Sequence, residues 1–333
     1  MRISIVTPSY QQAPYLGECL GSVRDQRGVE VEHIVMDGGS TDGSVEVLER
    51  SASQLAHWES VPDRGQSHAI NKGLARSTGE VFNWVNSDDA LVPDALAMVA
   101  RAFAEDPRLL VFGGRQFRRQ DDQLVPFAPL NDASRPRQLF IDPVVNQPAT
   151  FFRTDIIKAI GGVDEALRYV MDVELWWQVL FRHGTEHLRF VPDELAIFRL
   201  HGESKTVSEH AGFVHELALL LLGMCRRTGL AVLASVLLLG HAEDRVLRGV
   251  PVGPEHRDLV RDMTVHFLLK WHGHVHDRRE FRMMRALLRS GALERTGWLT
   301  DRIAARADGL RSKVGVPCWT IHRLRRKWRH LVR

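Results

Sequence analysis

The stretch from Val31 to Ser44, VEHIVMDGGSTDGS, decides the fold. Val31 to Met36 read as a short β-type run that passes straight into Asp37, a glycine- and hydroxyl-rich turn, and then Ser44 to Arg50, whose apolar residues fall at helical spacing. The glycines permit a tight turn and close backbone approach. The hydroxyls and amides sit at a helix N-terminus suited to polar or anionic groups. A calcium loop does not fit, because counting from Asp37 puts Asp42 where the turn glycine belongs and Leu48 where the bidentate Glu belongs. Nor is this a Walker loop, which needs Gly-Lys-Ser/Thr, or a Rossmann fingerprint, which needs G-x-G-x-x-G after the first strand.

The same strand-to-helix pattern recurs on both sides. Ile3 to Val6, His57 to Val61, Val81 to Val85 and Leu109 to Phe112 read as strands, and Leu16 to Val23, Ser67 to Arg76 and Pro93 to Phe103 as helices, with Pro93 suiting a first helical turn. Strands alternating with crossover helices imply a largely parallel sheet covered on both faces. Ligands bind such sheets beyond the carboxyl ends of the strands, and that is where Asp37, Asp63 and Asn86-Ser87-Asp88-Asp89 fall. A single Asp after a strand also serves as a turn former or helix cap.

The chain has 333 residues, 44% hydrophobic and 26% charged, which excludes intrinsic disorder and suits one large domain or two of ordinary size. MRISIVTPSY lacks a secretory apolar region of about 7–15 residues, so the expected location is cytoplasmic, peripheral at the inner face of the plasma membrane. Cys19, Cys225 and Cys318 make neither a disulfide framework nor a zinc knuckle. Charge is uneven. Residues 206–333 carry 23 Lys and Arg against 12 Asp and Glu, leaving 21 against 29 in residues 1–205. An acidic part suits a metal-assisted site and a basic part an anionic surface. Beyond residue 205 the pattern is helical only, and the apolar runs Leu217 to Leu222 and Leu230 to Leu239 are shorter than the 18 or so residues of a membrane span. They read as a helical hairpin. Residues 318–333, CWTIHRLRRKWRHLVR, form an amphipathic basic pattern that suits either an anionic membrane surface or docking on the core. Nucleic acid is not an expected partner, since aromatic stacking platforms are sparse there.

Thr7-Pro8-Ser9-Tyr10, DGGSTDGS at 37–44, DRGQSHAINKG at 63–73, NSDD at 86–89, NQPATFFR at 146–153 and YVMDVELW at 169–176 together resemble family 2 glycosyltransferases of the GT-A fold, over roughly residues 1–205. The resemblance implies an α/β GT-A catalytic domain, a Rossmann-like mixed sheet covered by helices, with an all-helical extension over 206–333. It implies that Thr7, Pro8, Asp37 and Asp63 hold the base and ribose of a nucleotide sugar, with Arg64, Gln66 and Asn86 close by. Asp88 would be the main metal ligand, assisted by Asp89 and His201, and the cation Mn²⁺ or Mg²⁺. Asn86 departs from the family's commonest D-x-D form, keeping an oxygen and losing a charge. Asp172 matches the general base. Asn146 and Gln147 would line the acceptor side, while Trp84, Trp176 and Trp177 offer either sugar-stacking surfaces or core packing. The implied activity is inverting transfer from a UDP- or dTDP-linked sugar to a hydroxyl of a lipid-linked or cell-surface glycan. The alternative is a binding or scaffold protein that keeps the fold without the activity.

Overall fold

The computed structural model describes residues 1–120, 123–127, 129–202 and 209–314. The basic segment 318–333 and the residues 203–206 that follow Gly202 lie outside the described residues. The described chain divides into two compact units, the first Met1–Leu139 with Pro143–His210, the second Phe140–Asp142 with the residues from Ala211 onward.

The first unit is built on β1 (Arg2–Ser9), α1 (Ala13–Arg24), β2 (Glu30–Asp37), α2 (Ser44–Ser51), β3 (His57–Ser60), α3 (Gln66–Arg76), β4 (Val81–Trp84), β5 (Ala90–Leu91) and α4 (Ala95–Glu105). It continues through β6 (Val111–Gln120), β7 (Gln123–Phe127), α5 (Pro136–Ile141), β8 (Thr150–Arg153), α6 (Thr154–Ile160), α7 (Met171–His183) and β9 (Leu188–Leu200). The sheet runs β3-β2-β1-β4-β8-β6-β9-β5, with β7 paired to β6. Strands β3, β2, β1 and β4 are mutually parallel. β8 is antiparallel to both β4 and β6, so β6 and its parallel neighbour β9 run in the direction of β1.

The sheet is therefore mixed where strand-helix alternation implied a largely parallel one. The fifth strand also differs: it begins at Val111 and runs to Gln120, far past Phe112. Its partner β9 hides the signal, because Pro192, Asp193 and Glu194 interrupt its apolar residues and its burial does not alternate. Pro93 lies before α4, whose N-cap Asp94 is left-handed with φ +61°.

β1 is central because its residues from Ile3 to Ser9 are buried on both faces. Ile3 and Ile5 pack with Cys19 and Val23 of α1, Leu96, Val99 and Phe103 of α4, and Phe112 and Phe151. On the opposite face α3 approaches so closely that a Cβ on Gly73 would lie 2.4 Å from Val6 Cγ1. In α7, Leu175, Trp176, Val179 and Leu180 are buried as their spacing requires, and Trp176 Nε1 donates to Leu139 O (2.8 Å).

The second unit is helical over its described residues: α8 (His210–Arg227), α9 (Ala231–Leu238), α10 (Arg257–His272), α11 (Arg278–Arg289) and α12 (Asp301–Val314). Gly229, with φ +70°, turns α8 into α9, the expected hairpin. Arg245 Nη1 donates to the fully buried Glu216 (2.9 Å), and Nζ of the partly exposed Lys270 donates to Asp142 (2.7 Å). No helix among the described residues is long and apolar enough to cross a membrane.

Overpacking a close contact of this kind costs about 1–3 kcal/mol. Gly73→Ala is therefore expected to lower the unfolding free energy by that amount in denaturant titration. In the Val6→Ala background, where the clashing methyls are gone, Gly73→Ala should cost nothing further; additive losses would show that the contact is not the cause.

Candidate active site

Parallel strands place their carboxyl ends at one edge of the sheet, and four aspartates gather there in two orientations. Asp37, at the end of β2, turns inward and is buried. Its carboxylate accepts from Gly39 N (3.1 Å), Ser40 N (2.8 Å), Ser40 Oγ (2.6 Å) and Ser60 Oγ (2.6 Å), which spends its acceptor capacity on the turn itself. Asp63, after β3, accepts from Gly65 N at Oδ1 (2.7 Å). Its Oδ2 and the ring of Tyr10 flank Gly38, where a Cβ would lie 3.2 Å from each. Tyr10 is 61% exposed at the end of β1. Gly38, Tyr10 and Asp63 thus bound one recess, with an aromatic face and a carboxylate.

Thr7 is not part of that recess. It is wholly buried, with Oγ1 3.0 Å from His33 Nε2, a histidine whose pKa burial lowers to about 3. Pro8 is buried as well. Thr7, Pro8 and Asp37 thus lie at the buried base of this edge, behind Tyr10 and Asp63. The outward residue of the same strand end is Tyr10, which the sequence reading passed over although it is the aromatic of TPSY and directly follows an apolar strand.

Beyond β4 the two adjacent acids divide in the same way. The turn closed by Asp89 N donating to Asn86 O (2.9 Å) directs Asp89 inward. Its Oδ1 accepts from Arg199 N (3.1 Å) and its Oδ2 from Asn86 Nδ2 (3.2 Å). Burial, then the neighbouring Asp88 charge, raise its pKa well above the ordinary 3.8. Both carboxyl oxygens of Asp89 are thus engaged within the turn and by β9. Asp88 faces outward, 22% exposed, with His201 Nε2 3.0 Å from Oδ2. Asn86 Oδ1 accepts from Gln66 Nε2 (2.7 Å), so the amide bridges Gln66 to Asp89. An aspartate at 86 would set a second carboxylate against a buried one, a repulsion that asparagine avoids. Arg64 extends outward to Glu165 (2.5 Å).

Two further groups complete the edge. Gln147 Nε2 donates to Trp84 O (2.6 Å), and Asn146 Nδ2 to Gly114 O (3.0 Å), so both amides brace the backbone. Trp84, Trp176 and Trp177 are all buried in the core and offer no stacking surface. Asp172 lies in the first turn of α7, half-buried, and accepts from Val173 N (2.8 Å). Burial pushes its pKa up to about 6, against the backbone donors that favour the charged form. It is held where a carboxylate changes protonation near neutrality, as a general base requires.

The sequence profile of Glycosyl transferase family 2 matches residues 4–160, from β1 through α6. Those residues are a family 2 glycosyltransferase domain. An uncharacterized glycosyltransferase of Mycobacterium tuberculosis is 32% identical over 168 residues, which is 49% of this chain and 62% of that relative. A second protein of the same organism is 28% identical over 218 residues, 59% of this chain and 66% of its own length. The chain thus spans somewhat under two thirds of these relatives. Among solved structures, Staphylococcus aureus TarS 1-349 in complex with UDP-GlcNAc superposes with a TM-score of 0.61 at 17% identity, over 92% of this chain and 84% of that one. The mannosyltransferase PcManGT from Pyrobaculum calidifontis, in complex with GDP-Man and Mn²⁺, gives 0.52 at 16% identity, over 97% and 82%. The fold around the family 2 domain is GT-A.

Asp172 carries a signature that titration can read. A folded-state pKa of about 6 above the ordinary 3.8 means that the folded protein binds this proton more tightly, so wild-type stability falls as pH rises from about 4 to about 6. Asp172→Asn is expected to be more stable than wild type at pH 8, with the gap closing near pH 3.5. A gap that does not change with pH would show that the carboxyl is not held in this state.

Proposed function

We propose that the protein is an inverting glycosyltransferase that moves a sugar from a UDP- or dTDP-linked donor to a hydroxyl of a lipid-linked or cell-surface glycan. One observation carries the reading: Asp88 and His201 meet beyond the carboxyl ends of β4 and β9, on the sheet edge that also bears the Tyr10, Gly38 and Asp63 recess. In this reading the nucleoside lies along that edge, with the ring of Tyr10 against the base and Asp63 accepting from base or ribose. The diphosphate then extends toward Asp88 and His201. The complexes of TarS with UDP-GlcNAc and of PcManGT with GDP-Man support a nucleotide sugar as donor.

Among the described residues no group of three or more His, Cys, Asp or Glu side chains is arranged to hold a metal ion. Asp88 and His201 nevertheless suit a cation that takes its remaining positions from water and substrate phosphates, the usual mode for Mg²⁺ and Mn²⁺ beside a diphosphate. Bound there, it would offset the charge that develops on the leaving phosphate. Asp172 takes the proton of the acceptor hydroxyl as the new bond to the anomeric carbon forms and the bond to the diphosphate breaks on the opposite face. A general base in this role contributes about 10²–10⁴-fold. In this reading residues 1–205 are the catalytic domain, and residues 206–333, with the basic segment 318–333, bring it to an anionic membrane surface on the cytoplasmic side.

A thermal-shift panel of nucleoside diphosphates, with and without Mn²⁺, tests the donor half. A ligand at a hundredfold excess over its dissociation constant adds about 2.7 kcal/mol to folded-state stability. UDP or dTDP is expected to raise the melting temperature in a Mn²⁺-dependent way, and Asp88→Asn to abolish the Mn²⁺ dependence. No shift with any nucleotide, in a folded protein, would favour a fold retained without activity.

A further inference from the structure

Arg199, the next-to-last residue of β9, holds both acids of the β4 turn: its main-chain N–H donates to Asp89 Oδ1 (3.1 Å) and its Nε to the Asp88 carbonyl (3.1 Å). Its far end leaves the site. Nη2 donates to Glu18 Oε2 (2.5 Å) on α1, and Glu18 also takes Arg119 from the end of β6. One turn earlier on α1, the ring of Tyr15 lies between two groups of the β9 terminus, 5.0 Å from the Arg199 guanidinium carbon and 4.9 Å from the His201 ring centroid. A single helical turn thus touches both residues that fix Asp88.

We propose that Glu18 is a positioning residue for the donor diphosphate: through Arg199, and with Tyr15, it sets the Asp88 and His201 pair at the geometry that receives the phosphates. The inference rests on the donor reading above and adds a residue outside the reacting groups. Glu18 is 44% exposed and Arg199 only 15%, so Glu18 sits at the solvent end of a chain that becomes progressively buried toward Asp89. Ion pairs with one partner near half-exposed contribute modestly to stability. Glu18 keeps nearly half of its side-chain surface in water, so removing it should leave the fold intact while taking away one anchor of the guanidinium whose Nε holds the carbonyl of Asp88. Its other arm, Arg119, reaches Glu18 without touching either acid, which supplies an internal control.

The experiment is calorimetric binding of UDP and dTDP with Mn²⁺ to the full chain, in wild type, Glu18→Ala and Arg119→Ala, with melting temperatures measured alongside. Glu18→Ala is expected to weaken nucleotide binding about five- to tenfold with its melting temperature within about 2 °C of wild type. Arg119→Ala is expected to stay within twofold in affinity. Equal losses in both variants would make Glu18 part of a merely structural cluster and overturn the proposal, as would an unchanged affinity in Glu18→Ala. A Glu18→Ala loss that tracks a lowered melting temperature would overturn it too. If wild type itself binds no nucleoside diphosphate, the donor reading fails and this proposal with it, whereas wild-type binding with no effect of Glu18→Ala defeats this proposal alone.

Discussion

A carboxylate withdrawn from water must be surrounded by donors, and the candidate site depends on two that are. Asp37 gathers the amides and hydroxyls of Gly39, Ser40 and Ser60 into one knot. Asp89 is clasped by Asn86 and the backbone of Arg199. Each knot fixes a loop at the end of a parallel strand, and each leaves a second acid facing outward, Asp63 beside the first and Asp88 beside the second. The charges that can meet a ligand are placed by the charges that cannot.

This division explains what was legible in the sequence and what was not. The parallel half of the sheet and its helices followed from apolar periodicity, and with them the edge at which the aspartates collect. Which member of a pair of acids turns inward did not follow, because Asp88 and Asp89 differ only by the turn between Asn86 and Asp89, a backbone geometry with no residue-type signature. Thr7 misled for a related reason: it ends an apolar strand and carries a hydroxyl, but that hydroxyl meets His33, a neighbour visible only once β1 and β2 are aligned in register. Arg199 and Glu18 are 181 positions apart, beyond any local pattern. The mixed half of the sheet was hidden by polar interruption in β9 and by the brevity of the antiparallel β8.

Asn86 shows how a departure from a family pattern reads in physical terms. The amide supplies an acceptor to Gln66 and a donor to Asp89 at once, which a carboxylate cannot do. The cost is one negative charge near Asp88, which leaves that side chain and His201 as the polar groups directed at the diphosphate position. In the proposed reading, a cation would be held by these two donors and by what the substrate supplies. The helical unit follows a different logic. Its fully buried Glu216 is paired with Arg245, and Lys270 with Asp142.

The most direct test of the account is a crystal structure of the full chain with UDP or dTDP and Mn²⁺. The account predicts the base against Tyr10 and Asp63, the diphosphate beside Asp88 and His201, and Asp89 still bonded to Arg199 N. A nucleotide held through Thr7 or Asp37, or a diphosphate lying away from the ends of β4 and β9, would contradict it.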